Sequence, residues 1–191
     1  MCSIPHIPSI TLPAFVFTNP AASILLPITL GSAVGCSTQP KKTRKIDNII
    51  SQPPLYPPAW VFAPVWTLLY GTMGYASHHA TTLGLSSSSS PRIRNLALTG
   101  ATLYTTQLML NLAWMPLFFG ARWPAAALVD IIALTGNVGC LVYVWKQWDP
   151  FAAWLMVPYL GWLGFAAYLN AGFGVLNGWD IGGVRKVEGG K

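Results

Sequence analysis

The chain reads as all-α, an integral membrane bundle of five transmembrane helices forming one domain over residues 1–191, and three observations predict this. Of its 191 residues 53% are hydrophobic and only 8% are charged, against about 25% charged in an ordinary soluble domain. Apolar stretches of about 20 residues, the length that crosses a bilayer as a helix, recur along the whole sequence. Runs such as "AAALVDIIAL" do not alternate between apolar and polar residues, as the strands of a membrane barrel would.

The spans follow in order at about 14–36, 60–82, 97–119, 123–145 and 150–172. The first has no Lys or Arg before Lys41, so it lacks the charged start of a secretory signal and the arginines of a transit peptide. It is expected to remain in the mature protein. A long loop at 37–59 joins it to the second span and carries "KKTRK" and the proline-rich "QPPLYPP". "LGLSSSSSPRIR" is a flexible connector between the second and third spans. Trp123-Pro124 and Asp149-Pro150 each put a proline at a helix start, where its missing N–H removes no bond, and Asp149 is placed to cap the fifth span.

Five spans put the two termini on opposite sides. Lys41, Lys42, Arg44, Lys45, Arg122, Arg185, Lys186 and Lys191 then share one side, and Arg92, Arg94 and Lys146 the other. The richer side is predicted to be cytosolic. Topology and contact with anionic lipid headgroups account for the net charge of +6. No basic face with interleaved aromatics is left over for nucleic acid. Cys2, Cys36 and Cys140 are an odd set without a C-x-x-C pair, read as small apolar residues. His78 and His79 have no carboxylate or cysteine at metal-ligand spacing, so no metal site is expected. No nucleophile, base dyad or resident cofactor is indicated either.

The informative residues are the polar and aromatic exceptions inside the spans. A rise of about 1.5 Å per residue puts Trp66, Tyr70, Asn111, Trp114, Asp130 and Trp162 within about 8–15 Å of the cytosolic face. Helical spacing gathers Gln107, Asn111 and Trp114 on one face, Trp66 with Tyr70 on another, and Trp162 with Ala166 on a third. A carboxylate within a bilayer turns inward to a partner or a cavity, so Asp130 and Asn111 are expected to face the interior, where they need each other, water or a ligand. The pattern permits two readings. One is a ring-lined cavity for a flat apolar molecule with polar edges. The other is helix packing, with Asn111 and Asp130 as an interhelical pair. Trp60, Trp123, Trp145, Trp148 and Trp179, near the helix ends, read as an interfacial belt.

"PPAWVFAPVWTLLYGTMGYAS" (57–77), "QLMLNLAWMPLFFGARWPAAALVD" (107–130) and "VPYLGWLGFAAYLN" (157–170) resemble the TspO/MBR translocator protein family. That resemblance implies a five-helix membrane bundle, often a homodimer. It also implies binding of porphyrin or haem, and in animals of sterol and synthetic ligands, in a pocket beneath the first loop. Trp66 and Trp162 match the two tryptophans that line the family pocket and that bacterial members use in light-driven porphyrin breakdown. Ala166 matches a small residue bordering the ligand, and Asn111 and Trp114 match pocket positions on the third helix. Tyr70 joins this set through its spacing from Trp66. Pro57 and Pro58 would lie in the lid. The implied function is a receptor or transporter, with a porphyrin-degrading enzyme and a structural, partner-binding protein as alternatives. The implied address is the outer mitochondrial membrane, or the endoplasmic reticulum. The chain departs from the family at Leu55 and Ala126, where tryptophans are common. Ala171 replaces the tyrosine of the carboxyl-terminal sterol motif, which makes sterol the weaker of the implied ligands.

Overall fold

The computed structural model describes residues 10–38 and 51–179. The basic cluster at 41–45 and the basic residues at 185, 186 and 191 lie outside these, as does most of the first loop. Among the described residues the chain runs α1 (Ala14–Thr18), α2 (Pro20–Ser37), α3 (Ala59–Gly84), α4 (Pro91–Met115), a π-helical turn (Pro116–Gly120), α5 (Pro124–Trp145), α6 (Pro150–Leu155) and α7 (Val157–Leu176). These make the five expected rods. α2, α5 and α6–α7 are long and apolar enough to cross a membrane on composition alone. α3 and α4, of 26 and 25 residues, are longer than the hydrocarbon core requires and carry more of the buried polar groups.

Proline decides where three of the boundaries depart from the expected ones. The first span is broken at Asn19, whose extended backbone precedes Pro20 and whose side chain accepts from the N–H groups of Ala21 and Ala22; a residue before proline is pushed out of the helical region. The fifth span is interrupted at Met156, two residues before Pro158, and then continues to Leu176. α4 begins at Pro91 under a Ser90 cap, six residues before the expected start. The cap expected of Asp149 is present, its Oδ1 accepting from Ala152 N at 3.1 Å.

Neighbours in the bundle follow the circular order α2, α3, α6–α7, α5, α4, with α4 closing back on α2. At one end the rods are sealed. Trp145 is fully buried and stacks on Tyr104 with centroids 6.3 Å apart, and Trp148 Nε1 donates to Ala80 O at 3.0 Å. These two tryptophans are therefore not belt residues as expected; Gly84 and Gly100 make room for their rings inside the bundle. Trp60, Trp123 and Trp179 are exposed. Arg92 reaches Gln147 Oε1 at 3.3 Å, so the start of α4 and the end of α5 share the sealed end, as the topology requires.

Asp149 ties this end together. It is buried, and its Oδ2 meets His79 Nδ1 at 2.6 Å. His78 Nδ1 pairs with Phe17 O at 2.7 Å, holding α1 against α3. Asp149→Ala removes a cap and orphans His79, a loss of about 1–3 kcal/mol. Thermal denaturation of the purified protein in detergent should show the midpoint falling in D149A and falling less in D149N, which keeps a capping oxygen.

At the other end the rods diverge. Pro27 cannot donate to the carbonyl of Ser23, and its ring displaces that carbonyl from the helix ladder. The freed oxygen leans on α3 at Gly74, where a Cβ would lie 2.2 Å from Ser23 O. Two turns later Gly31 still touches α3, a Cβ there falling 2.3 Å from the Tyr70 ring, but around Gly35 there is open space. α3 likewise packs along α6 yet barely touches α7. The bundle is consequently tight at one end and hollow at the other.

Candidate functional site

The hollow end encloses a cavity of about 650 Å³, within the range that holds drug-sized ligands. α2 contributes small residues, Gly31, Ser32 and Gly35 among them; α3 contributes Phe62, Trp66 and Tyr70; α4 contributes Asn111, Trp114 and Met115. α5 closes the back with Ile131 and Leu134, and α7 supplies Trp162, Ala166 and Asn170. Among the described lining residues none carries a formal charge.

All six residues singled out from the sequence, Trp66, Tyr70, Asn111, Trp114, Trp162 and Ala166, reach this one cavity. Trp66 stands 5.4 Å from Tyr70 and 6.5 Å from Trp162, centroid to centroid, the two indoles meeting edge to face at 89°. Trp114 stacks on Phe118 at 5.1 Å, and its Nε1 donates to Asn170 Oδ1 at 3.1 Å. Asn170 in turn donates to Pro124 O at 2.8 Å, so α4, α7 and the start of α5 are clamped through one amide. The π-helical turn aims Phe118 at this clamp. Pro116 cannot donate to the carbonyl of Leu112, and the helix widens there until Ala121 N bonds Pro116 O at 2.7 Å; such widened turns recur at functional sites.

Asn111 is the polar centre, but not with the partner expected for it. Tyr70 Oη donates to Asn111 Oδ1 at 2.7 Å, and Asn111 Nδ2 donates to Tyr159 Oη at 2.9 Å. Tyr159 Oη donates onward to Gln107 Oε1 at 3.1 Å. The two tyrosines take the bonds that the side chain makes, one accepted by Oδ1 and one donated by Nδ2, and the Asn111–Asp130 pair does not form. Asp130 is buried on α5, outside the cavity lining, and its Oδ2 finds no partner among the described residues. Trp162 Nε1 is also sealed from solvent without an acceptor.

Pro57 and Pro58 are not in the cavity lining; Pro58 serves as the N-cap of α3. The residues that line the cavity flank them, Tyr56 before and Ala59 and Trp60 after. Tyr56 lines it and packs edge-on against Phe173 at 5.3 Å. The segment is fastened to α7: Tyr168 Oη donates to Pro54 O at 3.0 Å, and Asn177 exchanges two 3.0 Å bonds with the Ser51 backbone. Pro53 is buried against Gly172, which has no Cβ to exclude it.

Reasoning from sequence missed the α2 wall and Tyr159. Small residues in an apolar run give no signal of their own, and Tyr159 was hidden beside Pro158. The regular spacing of Gly31 and Gly35 was the available clue.

Comparison with known proteins gives one answer. The TspO/MBR family model matches residues 23–176. The Translocator protein homolog of Schizosaccharomyces pombe is 45% identical over 154 residues, covering 80% of this chain and 88% of that protein. The Translocator protein of Homo sapiens is 38% identical over 151 residues, covering 79% and 86%. The Tryptophan-rich protein TspO of Chlorobaculum tepidum is 37% identical over 150 residues, covering 78% and 90%.

Proposed function

The chain belongs to the TspO/MBR family of integral membrane proteins, and from that premise we propose that it is a receptor or transporter for porphyrin, haem or a related flat apolar ligand. One observation carries this reading: four indoles, Trp60, Trp66, Trp114 and Trp162, wall a single cavity that has no formal charge among its described lining residues. In such a site binding comes from stacking and apolar burial, and a few polar groups set orientation.

Protoporphyrin titrated into the detergent-purified protein should quench tryptophan fluorescence in a saturable way. Quenching should shrink in Trp66→Phe and Trp162→Phe, which remove the indoles nearest the ligand. Emission that stays constant at saturating porphyrin overturns the reading. Adding haem and a sterol to the same panel ranks the ligands. The membrane address that goes with this reading is the outer mitochondrial membrane, tested by protease protection on isolated organelles.

A second reading is degradation of bound porphyrin by light with molecular oxygen as the oxidant, favoured by the edge-to-face contact of Trp66 and Trp162 at 6.5 Å. The reaction would use the photochemistry of the pigment itself, with the two indoles beside it governing the excited intermediate. Illumination of the complex should then bleach the porphyrin bands faster than free pigment in the same detergent. Equal rates leave binding as the whole activity.

A further inference from the structure

The hydrogen bonds behind the cavity run in one direction, and that direction is set by a sulfur atom. Gln107 Nε2 lies 3.7 Å from Met73 Sδ. A thioether accepts weakly and has no proton to give. The amide nitrogen of Gln107 must therefore face the sulfur, which turns its oxygen toward Tyr159. Tyr159 then donates to Gln107 Oε1 at 3.1 Å, and its own oxygen accepts from Asn111 Nδ2 at 2.9 Å. That fixes Asn111 Oδ1 toward Tyr70, which donates to it at 2.7 Å. Met73, Gln107 and Tyr159 are fully buried and outside the cavity lining, whereas Tyr70 lines it. The last hydroxyl of the chain has thus committed its proton inward.

We infer that Tyr70 presents only oxygen lone pairs to the cavity, and that the site selects flat apolar ligands whose polar edge donates a hydrogen bond, a hydroxyl or an N–H, over ligands whose edge only accepts. This rests on the cavity being the ligand site and names the ligand chemistry that fits there. A tyrosine hydroxyl on a cavity wall normally serves either partner, since it can give or receive. Here the Met73–Gln107–Tyr159–Asn111 chain removes one of the two options. Gln107 acts at a distance as a positioning residue, because its orientation decides where the Tyr70 proton points.

The test uses two planar fluorescent probes that differ in a single group, 1-hydroxypyrene, which can donate, and 1-methoxypyrene, which can only accept. Energy transfer from tryptophan to pyrene reports binding to the full-length protein in lipid nanodiscs, after subtraction of partition into empty discs. The wild type should bind the hydroxy probe about three- to tenfold more tightly, the range of one net hydrogen bond. Tyr70→Phe should bring the two probes to equal affinity. Gln107→Leu touches no ligand but frees Tyr159 to donate to Asn111. Asn111 then turns its nitrogen toward Tyr70, and the Tyr70 proton points into the cavity. The methoxy probe should gain affinity in Q107L and the preference should collapse.

Equal binding of both probes by the wild type, with protoporphyrin displacing both, overturns the inference and leaves the cavity reading intact. A preference that survives Y70F overturns it as well. If neither probe nor porphyrin binds, the reading of the cavity falls and takes this inference with it. Should Q107L fail to fold, the wild-type ratio and Y70F still decide.

Discussion

Gly74→Ala is expected to destabilise the protein by more than about 3 kcal/mol, beyond the usual range for one extra methyl group in a packed interior, and Gly71→Ala, one turn away on the same helix, is expected to do no harm. The contrast follows from what each new methyl would meet. At Gly74 a Cβ would sit 2.2 Å from Ser23 O and 2.8 Å from Ile24 Cα, both backbone atoms. No rotamer change relieves such a clash; α2 has to move as a whole. At Gly71, which is half-buried, nothing lies within 4 Å, and a glycine inside a helix exchanged for alanine gains up to about 1 kcal/mol in helix propensity. The carbonyl involved is the one that Pro27 removes from the α2 ladder, so the tight approach to Gly74 is a consequence of a proline four residues further on. Size-exclusion profiles after stepwise heating give the two midpoints. Because Gly31 and Gly35 of the same α2 wall the cavity, G74A should lose porphyrin-induced quenching together with stability. Equal midpoints for G71A and G74A would mean that α2 does not rest on α3 at this point.

That dependence of the site on a distant contact shows which features were legible in the sequence. Trp66, Asn111, Trp114 and Trp162 stood out because a polar or bulky ring is costly or awkward in an apolar run, and helical spacing put each on a definable face. The five rods were legible for the same reason, from length and hydropathy. The wall formed by Gly31, Ser32 and Gly35 was not, since a small residue in a membrane helix reads alike whether it admits a neighbour or lines a void. Trp145 was misread as a belt residue because depth along a helix says nothing about which way a side chain turns. The breaks at Asn19 and Met156 were signalled by Pro20 and Pro158, but the hydropathy of each run continues straight through them. The pairing of Asn111 failed as an expectation for a different reason. A single sequence shows that a buried amide needs partners, while the choice of two tyrosines over Asp130 is made by which helices touch.

Trp162→Ala is expected to weaken porphyrin binding by about 10- to 100-fold, the effect of truncating an anchoring tryptophan at a binding site, while moving the melting midpoint little. The indole is half-buried and faces the cavity, with Trp66 at 6.5 Å, Phe62 at 5.9 Å and Phe165 at 5.6 Å around it. Its loss enlarges a space that already exists, whereas truncating the fully buried Tyr159 would open a new one and break two bonds of the Asn111 chain. A protein in which these rings merely glue helices together would show the reverse order, W162A melting as early as Y159A. Trp162→Phe separates the two contributions of the indole. It keeps an aromatic face for stacking and deletes the N–H that has no acceptor among the described residues. If stacking dominates, W162F should retain most of the affinity and be at least as stable as the wild type, since an unsatisfied buried donor has been removed. A W162F protein that binds as weakly as W162A would mean that a phenyl ring cannot replace the indole face against the ligand. Titrations and melts of the two variants side by side distinguish these outcomes, and a W162A protein that binds porphyrin with full affinity would remove Trp162 from the site.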